Sequence, residues 1–175
     1  LAAVRSFYSY FYKKRKISQN PTNLVETPKI HEKNIIRLEI NEVAKLLDEI
    51  ESGENLTATQ KRYHNYTKLR DLAIISVLLG TGIRVSECVG LDIKDIDFDL
   101  NGLKITRKGG NEMVIYFGEE VEEALQNYLE ERVKKQPKVE HEDALFLSLQ
   151  NRRLTVRSVQ NLVKKYASLV TTLKK

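Results

Sequence analysis

The chain has 175 residues, 41% of them hydrophobic and 30% charged, with a net charge of +5, enough for one well-cored domain plus a piece of another. Its longest apolar run, Leu72 to Gly80, is far short of the roughly 20 residues that span a bilayer. One Cys and three scattered His give neither a disulfide framework nor zinc-ligand spacing, so a reducing, cytoplasmic setting with no metal is expected.

Charge is unevenly distributed. Residues 1–33 carry seven Lys/Arg and two Glu, and residues 151–175 carry seven Lys/Arg and no acid. Between them stand fifteen basic and twenty-two acidic residues. Basic ends around an acidic middle suit a chain that clamps a polyanion, although basic tails also serve solubility alone.

Leu1, Val4, Tyr8 and Phe11 recur at helical spacing. Residues 1–16 are therefore predicted to be the last helix of a helical domain that begins upstream. The opening Leu, without Met or a signal layout, points the same way. Pro21, Pro28 and the loss of periodicity make residues 17–36 a linker, which leaves 37–175 as a second domain. There, Ile40, Val43, Leu46, Leu47 and Ile50 mark an amphipathic helix. A second helix runs through Thr67–Gly80 and breaks at Gly80-Thr81-Gly82, and a short third begins near Arg84. Residues 92–118 alternate apolar and polar in three short runs, with turn signals at Asn101-Gly102 and Gly109-Gly110-Asn111, a small antiparallel sheet. Residues 119–135 form an acidic amphipathic helix ended by Pro137. Residues 154–170 form a last helix, with Arg157, Lys164 and Lys165 off its apolar face. The fold class is α+β: a mostly helical domain with a three-stranded antiparallel sheet, preceded by the end of another helical domain.

Arg84 stands out within LLGTGIRVSECVGL. A guanidinium in so apolar a stretch costs several kcal/mol to desolvate unless an anion receives it. A plain helix-surface pair with Glu87 is one explanation. A dinucleotide loop is excluded, since a third Gly and a preceding strand are missing, and a phosphate loop lacks its Gly-Lys-Ser/Thr. The remaining explanation is a grip on a phosphodiester. Gly80 and Gly82 end one helix, Arg84 opens the next where the helix N-terminus favours an anion, its planar fork matches two phosphate oxygens, and Glu87 orients it.

The stretch TGIRVSECVGLDIKDIDF resembles the first arginine box of the tyrosine recombinases, the lambda-integrase and Xer family. Thr81, Gly82, Arg84, Ser86, Glu87, Leu91 and Asp95 fit; Cys88 replaces the usual Leu. ITRKGGNEMVIYFG resembles the family's Lys-bearing β-hairpin, and the likeness extends through the linker. Within the family, the chain looks most like integrases of conjugative transposons.

The resemblance implies that Arg84 binds the scissile phosphate, that Glu87 supports it, and that Lys108 protonates the 5′-oxygen leaving group. Fixed cations aimed at equatorial oxygens lower a phosphoryl-transfer barrier without a metal or other cofactor. It further implies that Lys13, Lys14, Arg15 and Lys16 track phosphates, that Arg157 reads a base edge in the major groove, and that Arg107, Arg152, Arg153, Thr155 and Lys164 make further DNA contacts. The implied partners are double-stranded DNA and further copies of the chain, a dimer per site and a tetramer in synapsis, in the bacterial cytoplasm at the nucleoid and away from membranes. The family's H-x-x-R box, its His or Trp and its Tyr nucleophile have no match before Lys175, and Tyr166 lacks their context. Residues 1–175 are thus expected to be inactive alone. A non-catalytic DNA-binding fragment or excision regulator, and an enzyme like the type IB topoisomerases, stay open as alternatives.

Overall fold

The structure, a computed structural model, describes residues 1–26, 38–107 and 109–170. The chain separates into two compact units, Leu1–Arg37 and Leu38–Lys175.

In the first unit, α1 (Ala2–Lys13) buries none of its residues. The chain then turns at Arg15, whose φ is 53°. Asn20 caps a 3-10 turn at Pro21–Leu24, its Oδ1 accepting the Thr22 N–H at 3.1 Å, and Arg5 donates to the Val25 carbonyl. The early part of the expected linker is thus ordered against α1. Proline at the first turn position pre-sets φ, and an asparagine cap satisfies the free amide.

The second unit contains α2 (Ile40–Ser52), α3 (Ala58–Thr81), α4 (Val85–Gly90), β1 (Ile96–Asp97), β2 (Gly102–Thr106), β3 (Glu112–Tyr116), α5 (Glu119–Arg132) and α6 (Val156–Val170). α3 is the central helix and packs along α5, while α2 packs along α6. Ile50, Ala73, Ile74, Val77, Leu125, Tyr128, Leu145, Val159 and Tyr166 form the centre of the core. α3 begins at Ala58 rather than Thr67. Thr57 caps it, accepting from Gln60 N at 3.3 Å while Gln60 Oε1 accepts the Thr57 N–H at 2.9 Å, a reciprocal cap that starts a helix without an apolar stripe. The added turns are held by buried His64, whose Nε2 is 2.8 Å from the Ile50 carbonyl. Gly53 ends α2 at φ 65°, and a Cβ there would stand 2.7 Å from the His64 ring, so only glycine fits.

The sheet runs β1-β2-β3, antiparallel throughout, with Ile96 opposite Leu103, Leu103 opposite Ile115 and Ile105 opposite Met113. Leu103 and Ile105 fill its inner face. Between α5 and α6 the chain has no helix or long strand, yet residues 144–147 are buried. Side chains of α5 take up carbonyls of this segment: Tyr128 donates to Leu145 O at 3.0 Å, and Arg132 Nη2 donates to Ala144 O at 2.9 Å and to Glu142 O at 2.8 Å. Single β-bridges join Asp92 to Ala144 and Leu147 to Arg153. No helix among the described residues is long and apolar enough to cross a membrane.

Candidate active site and nucleic-acid interface

The arginine box is built by a helix break. α3 stops at Gly82, whose φ of 65° is left-handed and whose N–H reaches Leu78 O at 3.1 Å. Ile83 drops into the core at 6% exposure, and Arg84 follows as the residue that caps α4. The Glu87 carboxylate then closes on Arg84 from both sides. Its Oε2 accepts the Arg84 backbone N–H at 2.8 Å, and its Oε1 accepts from Arg84 Nη1 at 2.9 Å. The side chains are unequal in exposure: Arg84 is 69% exposed and Glu87 only 6%.

This corrects the expectation drawn from the apolar neighbourhood. The buried charge is Glu87; Arg84 stands in solvent at the rim, and among the described residues its guanidinium bonds only to Glu87, through Nη1. A second correction concerns the helix end. α4 has only six residues, and the Arg84 amide is already engaged by Glu87, so the helix terminus does not offer that amide to an anion.

Arg107 comes from the end of β2. The hairpin turn sets it there: Arg107 N donates to Asn111 O at 2.8 Å, and Gly110 N donates back to Arg107 O at 3.0 Å. Gly109 and Gly110 take φ values of 96° and 82°, which only glycine adopts cheaply. Arg107 Nε lies 3.8 Å from Glu87 Oε1, so one buried carboxylate faces two exposed guanidinium groups. The three residues line a cleft of about 610 Å³ together with Ser86 and Thr106. Sequence reasoning missed Thr106 as a cleft residue; its outward place in the β2 alternation was the available signal. Lys108 lies outside the described residues. The Glu87 carboxyl is held below its ordinary value, chiefly by the Arg84 backbone N–H, against the opposing effect of burial and with help from the Arg84 and Arg107 charges. It is an anion at neutral pH, and the cleft mouth is cationic.

The other expected DNA contacts divide. Arg152, Arg157 and Lys164 are exposed, with Arg157 in the first turn of α6. Thr155 caps that helix, its Oγ1 accepting from Ser158 N at 3.2 Å. Lys13, Lys14, Arg15 and Lys16 are exposed in the first unit. Arg153 departs from the expectation of a phosphate contact. Its Nη1 donates to Val89 O at 3.1 Å and Leu91 O at 2.9 Å, and its Nη2 pairs with Asp92; a fork so occupied braces one part of the fold against another.

Tyr166 is fully buried, and its hydroxyl donates to Asp71 Oδ2 at 3.2 Å. Arg70 donates to Asp71 Oδ1 through Nη2 at 2.6 Å, and Lys165 Nζ reaches Oδ2 at 3.3 Å. Burial and the Asp71 charge push the phenol far above its ordinary value. Such a hydroxyl is no nucleophile. Among the described residues, no group of three or more His, Cys, Asp or Glu could hold a metal ion.

The profile of the phage integrase family matches residues 37–173. A tyrosine recombinase XerC of Caldanaerobacter subterraneus subsp. tengcongensis is 39% identical over 167 residues, 95% of this chain and 42% of that protein. The chain spans about half the length of the curated relatives it matches. Among solved structures, XerA recombinase superposes with a TM-score of 0.65 at 22% identity, covering 99% of this chain and 54% of that one. The Tn1549 transposon integrase in complex with circular intermediate DNA superposes with a TM-score of 0.60 at 21% identity, covering 99% and 61%. Both likenesses show the fold, a mostly helical domain with a small antiparallel sheet. Since the family profile covers most of its length, the chain belongs to the phage integrase family.

Proposed function

We propose that this chain is part of a site-specific DNA recombinase that cuts and rejoins strands through a 3′-phosphotyrosine, moving a mobile element. The observation that carries this reading is the pairing of buried Glu87 with exposed Arg84 at the rim of a cationic cleft. Among the described residues only Glu87 accepts from the Arg84 guanidinium, through Nη1, so the remaining donors can take two non-bridging oxygens of one phosphate. Arg107 adds a second positive charge where the transition state gathers negative charge. Lys108, next in the chain, is assigned the proton for the 5′-oxygen leaving group.

Arg157, at the exposed start of α6, is assigned a base edge. Arg152, Lys164 and the Lys13–Lys16 run take phosphates, with Thr155 beside them at the helix cap. The nucleophile is a tyrosine other than Tyr166. Double-stranded DNA is the substrate, and exchange of strands between two duplexes calls for several copies of the protein, a dimer per site. Cytoplasmic action at the nucleoid follows from that substrate, and the reaction needs no cofactor.

The test is Arg84→Lys in the full-length protein, assayed on a duplex recovered by binding selection from a randomised pool. Lysine keeps the charge and loses the fork. Binding should stay within a few-fold of wild type while covalent protein–DNA complex falls by about 10² or more, the scale of one lost transition-state donor. Undiminished cleavage in this variant would remove Arg84 from the chemistry.

A further inference from the structure

We propose that Arg153 is a positioning residue that couples base reading by α6 to the phosphate grip at Arg84, an inference that rests on the recombinase reading above. Arg153 lies two residues before the Thr155 cap and four before Arg157. Its side chain is only partly exposed, at 29%, and its fork is engaged by the protein. Nη1 bridges the carbonyls of Val89 and Leu91 at 3.1 and 2.9 Å, and Nη2 pairs with Asp92. Those carbonyls belong to the C-terminal end of α4, the helix whose other end is Arg84.

A six-residue helix is roughly 9 Å long. One short rigid element and one guanidinium therefore connect the phosphate-binding residue to the start of the base-reading helix. The backbone repeats the connection: Leu145 N donates to Leu91 O at 3.0 Å, Leu154 N donates to Phe146 O at 3.0 Å, and Leu147 bridges Arg153. Without Arg153, the last carbonyls of α4 lose a charged donor, and α4 can rotate relative to α6. Binding by either end would then survive while their mutual register would not. The neighbouring Arg152 is the internal contrast, exposed and beside Lys138 and His141 at a surface hollow.

The experiment uses the full-length protein and two duplexes, one recovered by selection from a randomised pool and one scrambled. Affinity is measured against salt, and cleavage at saturating DNA well below the melting temperature. For Arg153→Gln we expect affinity for the scrambled duplex within twofold of wild type, an unchanged salt slope, and cleavage of the selected duplex reduced at least tenfold. We also expect the cleavage penalty for replacing the base pair read by Arg157 to shrink, while its binding penalty persists. Arg153→Lys, which keeps a charge for Asp92 without the fork, should recover part of the cleavage. Arg152→Gln should instead weaken both duplexes and lower the salt slope by about one.

Two results overturn the proposal. If Arg153→Gln weakens all duplexes and flattens the salt slope, Arg153 is a phosphate contact. If it lowers only the melting temperature, it is merely structural. Should that variant fail to fold, Asp92→Asn removes the ion pair, spares both carbonyl bonds, and must show the same split. A wild-type protein that selects and cleaves no duplex sinks the recombinase reading itself, before any variant is made, and this proposal with it.

Discussion

Tyr166 and Asp71, ninety-five residues apart, meet inside the protein, the phenol donating to the carboxylate at 3.2 Å. Asp71 is the shared acceptor of Arg70, its neighbour in α3, and of Lys165 and Tyr166, which tie α6 to α3. Removing the hydroxyl leaves Asp71 with two cationic partners. Tyr166→Phe should therefore destabilise by about 1.5–3 kcal/mol, the worth of one hydrogen bond to a charged group, with strand cleavage by the full-length protein intact at temperatures where it is folded. Asp71→Ala leaves Arg70 buried without its anion and should cost about 3–5 kcal/mol. Denaturant melts check both values, and disappearance of the covalent complex in Tyr166→Phe would reverse the assignment of that residue.

Glu87 sets a pH dependence whose sign follows from its depressed folded pKa. Such a group contributes its full stability above the ordinary carboxylate value of 4.5, and that contribution is lost as pH falls through the lower folded value. The largest cause is a backbone N–H, which any residue at position 84 except proline supplies. Arg84→Ala should therefore keep the backbone contribution but raise the Glu87 pKa, because burial opposes that contribution, and Arg107→Ala should raise it less. Carboxyl-carbon NMR titration of Glu87 reads this directly, and an unshifted titration in the wild-type protein would contradict the double hold on Arg84.

The basic residues should separate by role. Arg157→Ala is expected to relax sequence preference at one position, with a discrimination loss of about 1–3 kcal/mol. Neutralising Lys13, Lys14, Arg15 and Lys16 together should weaken every duplex alike and reduce the salt slope by up to about 0.9 for each phosphate no longer neutralised. Binding isotherms at several salt concentrations on selected and scrambled duplexes measure both. Identical responses from the two variants would refute the division.

Legibility in the sequence followed the range of the interactions involved. α2, the sheet and α6 were readable because apolar periodicity and glycine turns are local signals, and the arginine box was readable as a run of residues. The first nine residues of α3 were not, since ATQKRYHNY offers no apolar stripe and its support comes from a cap and from His64 under Ile50. Asp71 carries no local signal in the sequence; its partnership with Tyr166, ninety-five residues on, exists only once the chain has folded. Arg152 and Arg153 are indistinguishable side by side in sequence, and only the closeness of α4 to the start of α6 makes one of them a brace. The exposure of Arg84 was misread for the same reason, because apolar neighbours in sequence were not its neighbours in space.

Cys88, the only cysteine of the chain, is fully buried under the arginine box, and burial pushes its thiol up to about 12. At pH 8 almost none of it is thiolate, the form that reacts with alkylating reagents. A single cysteine engineered onto the surface of this chain would then be its one maleimide-reactive group. A fluorophore could be placed on α6 or on α1 of this chain without first deleting Cys88, so the proposed DNA engagement could be followed by energy transfer to a labelled duplex.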